Sequence, residues 1–310
     1  PFSNIGYSYS NTKALNSTDG STSVVKATNT YSGTGGLHQV YLGLGWSPFK
    51  GFAIGVNAAY LWGDYSRSVV NSYTDAYANT LSKYYTAEVH NYKLDFGMQY
   101  TQKITKNDAI TLGVTYGLGH KLSSDPKCQI ISTNAQTAVA DTATYSIGNG
   151  LELPHSYGVG LMWNHANRWR VGADYTLQKW SSVAYPKFDT STNSYELVSG
   201  QFADRHKMTV GGEFCPDERS RSFFKRVHYR MGASYATDYL KIKGQNGPKE
   251  YSVSAGFGIP IVNGYNNRSL LNISAQWVRQ DSKTFVTENS FRINIGLTFN
   301  ERWFAKWKME

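Results

Sequence analysis

A chain of 310 residues with a formal net charge of +9 and a mean hydropathy of −0.45 is too long for one ordinary sandwich and too polar for a helical membrane protein. It contains no apolar run of the roughly 18 residues that a membrane-crossing helix needs. The 31 Lys and Arg residues are scattered rather than gathered into basic runs, which argues against nucleic acid as a partner. The 23 Tyr, 14 Phe, 8 Trp and 29 Gly suit strands and tight turns.

Taken in order, residues 2–9 read as a short first strand, with Ile5, Tyr7 and Tyr9 alternating. The chain opens abruptly at Pro1, already near a strand, and is read as processed or N-terminally incomplete. Residues 10–36 are rich in Ser, Thr, Asn and Gly and read as a long loop, with a strand extension near 24–31. Val40, Leu42, Leu44 and Trp46 then alternate with polar residues or Gly, and Ser47–Gly51 forms a tight turn. The return strand carries Phe52, Ile54, Val56, Ala58, Tyr60 and Trp62. A polar loop over 63–84 leads to Tyr92, Leu94, Phe96, Met98 and Tyr100, and a turn at 101–108 leads to Ile110, Leu112, Val114 and Tyr116. The longest loop spans 120–150. Tyr157, Val159, Leu161 and Trp163 follow, then the turn 164–168, then Trp169, Val171, Ala173 and Tyr175. Loop 181–204 precedes Met208, Val210 and Phe214, and turn 215–226 precedes Tyr229, Met231, Ala233 and Tyr235. After loop 236–249 come Tyr251, Val253, Ala255 and Phe257, the turn 260–268, and Leu271, Ile273, Ala275 and Trp277.

The last strand states the pattern most plainly. In Ser290–Phe299 every odd position (Phe291, Ile293, Ile295, Leu297, Phe299) is large and apolar, and every even position is polar or Gly. A strand sends successive side chains to opposite faces, so each such segment has one apolar and one polar face. About twelve such segments recur with no helical stretch between them. Their connections alternate, long then short, which in up-and-down antiparallel order puts all the long loops at one end. That asymmetry is the pattern of outer-membrane barrels, with short periplasmic turns and longer extracellular loops. The fold class is therefore all-β: a transmembrane up-and-down antiparallel barrel over 1–299 with a periplasmic tail at 300–310, twelve strands here implying fourteen in the parent protein. Trp46, Trp163 and Trp169 beside short turns, and Trp62, Trp180 and Trp277 near long loops, read as two membrane-interface belts.

The inward face is expected to carry Lys93, Asp95, Arg170, Asp174, Lys207, Glu213, Arg230 and Arg292. Mixed signs speak for an internal charge network or a polar path and against strong ion selectivity. Cys128 and Cys215 fall at opposite ends of the strands, too far apart for a disulfide. His155 and His165 lie near strand ends, His206 and His228 read as isolated, and none has metal-ligand spacing to a partner. No catalytic constellation, cofactor site or metal site is expected. The expected surroundings are outer-membrane lipid and lipopolysaccharide, with the barrel-assembly machinery engaged at least during biogenesis.

The final strand resembles the terminal targeting strand of outer-membrane barrels, here ending at Phe299 with eleven residues beyond it. The ending Asn300-Glu301-Arg302-Trp303-Phe304 is similar to those of Bacteroidota barrel proteins, and Asp141-Thr142-Ala143 resembles the O-glycosylation site of that phylum. The strand number, long loops and Gly/Tyr-rich hairpins resemble the fatty-acid transporter (FadL) family. That resemblance implies two functions. One is an accessory subunit of an outer-membrane secretion or barrel-assembly complex, with other outer-membrane proteins or lipoproteins as stable partners. The other is a passive uptake channel for hydrophobic small molecules such as fatty acids.

Overall fold

The computed structural model describes residues 2–15, 24–242, 244–262, 268–282 and 287–298. Phe299 and the tail at 300–310 lie outside them. The chain opens with β1 (Ser3–Leu15), β2 (Val25–Phe49), β3 (Phe52–Tyr73), β4 (Thr80–Lys103) and β5 (Asp108–Gly117). Four short strands sit in the next connection: β6 (His120–Leu122), β7 (Lys127–Thr133), β8 (Ala140–Ser146) and β9 (Leu151–Leu153). The wall resumes with β10 (Ser156–His165) and β11 (Trp169–Gln178), followed by the loop hairpin β12 (Tyr185–Asp189) and β13 (Ser194–Val198). Then come β14 (Arg205–Phe214), β15 (His228–Ala236), the small pair β16 (Lys241–Ile242) and β17 (Gln245–Asn246), β18 (Lys249–Val262), β19 (Arg268–Asp281) and β20 (Glu288–Thr298).

Twelve of these make the wall, in the order β1-β2-β3-β4-β5-β10-β11-β14-β15-β18-β19-β20. Every neighbouring pair is antiparallel, so sequence neighbours are sheet neighbours throughout. Among the described residues β1 pairs with β2 and β20 with β19, and no pairing joins the two outer strands.

The register sorts the side chains. Directly opposed residues share a face, so the row Trp163–Val171–Gly212–Met231–Ala255–Ala275–Ile293 lies on one side. The row one residue along, Asn164–Arg170–Glu213–Arg230–Gly256–Ser274–Asn294, lies on the other. On the first face Met231 is 74% exposed and Ile295 is 73% exposed, with Leu42, Leu44, Val253 and Phe291 similarly bare. A continuous exposed apolar band of this size demands lipid, not water.

Two stretches read as loops from the sequence, 10–36 and 63–84, are largely strand. β1 runs on to Leu15, β2 starts at Val25, β3 ends at Tyr73 and β4 starts at Thr80. β2, β3 and β4 are 25, 22 and 24 residues long. At about 3.3 Å per residue and a barrel tilt of roughly 40° they rise about 55–65 Å, close to twice an apolar bilayer core of roughly 30 Å. Beyond the lipid neither face needs to be apolar, so Ser, Thr and Asn serve as strand residues and the alternation disappears from the sequence. The connection at 120–150 also holds paired strands, β7 running against the β4 extension and β8 against β7.

Much of the buried core sits here, with a smaller part around Cys215, Val227 and His228 at the short-turn end. Leu61, Ala87, Val89, Leu122, Pro126, Cys128, Val183, Phe188 and Phe202 are buried, and all belong to the strand extensions or the long connections. By register Leu61, Val89 and Ala87 share the face of Asp95, the inward one. The long connections therefore fold inward over the wall.

Candidate functional site

The polar face carries the chemistry, and it has two concentrations of charge. Lys93 and Asp95, two apart on β4 and therefore on one face, form an ion pair. Nearer the short turns, Glu213 of β14 binds three partners. It accepts from Arg170 Nη1 at 3.0 Å, from Arg230 Nε at 2.6 Å and pairs with His228 Nδ1 at 3.1 Å. Arg230 also donates to Asn272 Oδ1 at 2.6 Å. Charge-assisted bonds of this kind hold long side chains in fixed positions across neighbouring strands. Asp174, Lys207 and Arg292 occupy the same face by register but stand outside both clusters.

Between the charges this face is stripped of side chains. The row Gly45–Gly55–Gly97–Thr115–Gly158 crosses five strands. A pocket of about 560 Å³ opens there, lined by Asn57, Asp95, Gln99 and Ser156. A groove of about 440 Å³ lies on the outer side of the same strands, lined by Leu44, Trp46, Phe96, Met98 and Tyr116. The two share residues of β3, β4 and β5, among them Gly55, Gly97 and Thr115, so they sit back to back across a thin wall.

Above the lipid the inner face is covered. Arg67 lies 4.8 Å from the centre of the Tyr85 ring, and Lys83 lies 5.3 Å from that of Phe188 on β12. Phe188 meets Tyr145 of β8, and Tyr185 meets Phe202 edge-on. Burial, then the neighbouring Tyr185 hydroxyl that hydrogen-bonds it, pushes the Tyr65 phenol up. Burial does the same to Tyr195 and to the Cys128 thiol. These groups act as neutral packing, with Tyr65 hydrogen-bonded to Tyr185 and Cys128 to Tyr85. The sequence reading missed Tyr65, Tyr85, Tyr185 and Tyr195, because they lie where alternation fails; their aromatic density within polar loops was the available signal. At the outer rim Asp204 is held at about 2: burial opposes this, but hydrogen bonds from Lys179 and Ser181 outweigh it.

The interface tryptophans divide. Trp46, Trp163 and Trp169 are exposed beside short turns, and Trp62 and Trp277 are exposed higher up. Trp180 departs from that belt. It sits in a short 3₁₀ turn, stacked on Tyr239 at 4.5 Å and against Phe202 edge-on, with its indole N–H given to Gln178. Phe291, Ile293, Ile295 and Leu297 of β20 share the lipid face with Trp277, Ala275, Ile273 and Leu271. Thr142 lies exposed on β8.

His228, isolated when read along the chain, is not isolated in space. Besides Glu213 it lies close to Cys215 and Glu218, at the short-turn end. Cys128 lies in β7, at the long-loop end. His206 pairs with Tyr175 Oη at 2.7 Å, and His165 with Asp108 at 2.8 Å.

Comparison with known proteins agrees with this geometry. The CymD monoaromatic hydrocarbon channel matches with a TM-score of 0.62 at 12% identity, over 96% of this chain and 88% of that one. The Ralstonia pickettii toluene transporter TbuX matches with a TM-score of 0.54 at 12% identity, over 97% of this chain and 89% of that one. A Pseudomonas aeruginosa FadL homologue gives 0.52 at 13% identity, over 83% of this chain and 66% of that one. At such identities the likeness is one of fold: a FadL-like barrel of the bacterial outer membrane. No curated protein matches the chain. The family model described as BamG matches residues 1–310, the whole chain, and this outer-membrane barrel therefore belongs to the BamG family.

Proposed function

We propose that the protein is a non-enzymatic accessory barrel, a stable subunit of an outer-membrane barrel-assembly or secretion complex. The observation that supports it is the state of the inner face. A conduit for hydrophobic molecules needs a continuous apolar lining, whereas this face carries the Arg170–Glu213–Arg230 and Lys93–Asp95 pairs. Its outer end is packed with Leu61, Val89, Cys128, Phe188 and Phe202. Membership of the BamG family over the full chain is in keeping with this role. Partners on this reading are other outer-membrane proteins or lipoproteins, embedded in lipid and lipopolysaccharide.

A passive channel for hydrophobic small molecules is the second reading. Its supports are the back-to-back groove and pocket across the glycine row, a place where an apolar molecule could leave sideways, and the likeness to the CymD monoaromatic hydrocarbon channel and the TbuX toluene transporter. Purification from native membranes in mild detergent separates the two. The accessory reading expects stoichiometric comigration with large outer-membrane partners. Elution of the chain alone, with acyl chains or hydrocarbons retained and detected by mass spectrometry, would favour the channel.

A further inference from the structure

The chemistry at the short-turn end belongs to neither reading. Cys215, Glu218 and His228 each offer one ligand atom, and these atoms all lie within 4.8 Å of one another. Cys215 directly follows β14, with its amide N–H donated to Arg168 O at 2.9 Å. His228 opens β15, and Glu218 sits in the turn between them. Cys215 and His228 are buried, while Glu218 is exposed.

We propose that these three side chains form a zinc site that staples the turn between β14 and β15 to the base of the wall. Three observations converge. First, thiolate, imidazole and carboxylate are the donor set of a borderline-soft divalent ion, and hard ions such as Mg²⁺ or Ca²⁺ take oxygen ligands instead. Second, the imidazole is already oriented: its Nδ1 is paired with Glu213 Oε1 at 3.1 Å, so on this proposal Nε2 is the nitrogen that binds the ion. A ligating histidine almost always gives its other ring N–H to such a carboxylate. Glu213 is in turn fixed by Arg170 and Arg230, so the support reaches into the wall. Third, the loaded site is neutral: the Cys215 thiol gives up its proton to solvent as the ion binds, and the resulting thiolate and the Glu218 carboxylate together cancel the dication beside two arginines. Tetrahedral binding needs ligand atoms roughly 3.3–3.8 Å apart, so small side-chain rotations from the observed spacing complete it. The fourth position is left for water.

The test uses the full chain, purified in detergent, stripped with a chelator and titrated with Co²⁺ alone. One cobalt per chain is expected, with a thiolate-to-cobalt charge-transfer band in the near ultraviolet that added Zn²⁺ erases. Cys215→Ser should abolish the band and Cys128→Ser should keep it. Absence of cobalt binding, binding without a thiolate band, or a band that survives Cys215→Ser would overturn the site. Should Cys215→Ser fail to fold, the Cys128→Ser chain leaves one thiol to follow. Its alkylation by a small maleimide is expected to slow at least about tenfold with Zn²⁺ present. An unchanged rate would count equally against the proposal.

Discussion

Ala166 and Asn167 close the turn between β10 and β11 with φ of 53° and 57°, and Arg168 N–H reaches His165 O at 2.9 Å. Two successive left-handed residues make the turn whose twist matches that of antiparallel strands. Asn tolerates this conformation, and Asn167 is also held by Asn164 through two hydrogen bonds. Ala does not tolerate it well: a left-handed non-glycine residue costs roughly 1–2 kcal/mol. Ala166→Gly removes that strain but frees the unfolded chain, which returns about 0.4–1 kcal/mol. A net stabilisation of about 0.5 kcal/mol is expected, read as a higher urea midpoint for loss of the folded band in detergent. At the same scale, Asp204 is the residue that responds to acid. Its pKa falls from the ordinary carboxylate range to about 2 on folding, so its contribution is complete above about pH 4 and is lost as pH drops through about 2. Protection against hydrogen exchange in the segment 179–206, taken relative to the intrinsic amide rate at each pH, should fall across that window, and Asp204→Asn should flatten the response.

A wall strand has to satisfy two media at once, and β20 shows how. Ile293 and Ile295 face lipid while Arg292 and Asn294 face inward, fixed by pairing with Ala275, Ile273, Gln276 and Ser274. Placing a charge on the lipid side near mid-bilayer costs about 2–4 kcal/mol. Ile295→Arg should therefore cut stability by about that amount, whereas Arg292→Gln on the opposite face should change it little. Equal effects of the two would reverse the assignment of faces. Further along the strands the rule relaxes. β3 passes Gly63, whose φ is +148° and where a methyl group would overlap Gly36 O. Beyond that point its outer face carries Asp64, Ser66 and Ser68 in place of apolar residues.

For the whole molecule the decisive question is whether the inner passage is open. The β12–β13 hairpin lies against Tyr65, Lys83 and Tyr145, inside the wall and above the lipid. Replacing residues 185–198 by a short Gly-Ser link removes Phe188 and Tyr185 from that packing. The full chain in a planar bilayer should conduct little, and the shortened chain should show clearly larger ion conductance. Conductance that stays the same would mean the hairpin covers nothing.

Alternation alone specified the strand count, the up-and-down order and the face each wall residue takes, because lipid outside and water inside impose a period of two on every crossing. It placed Lys93 with Asp95, and Arg170, Glu213 and Arg230 on one face, since residues two apart or in register must share it. It could not find the continued strands at 10–36 and 63–84, where no lipid meets the outer face and polar side chains there erase the pattern. Nor could it place Trp180 in a packed loop, or bring Cys215, Glu218 and His228 together. Those contacts depend on how a turn or a long connection folds back on the wall, and only the assembled tertiary structure sets that distance.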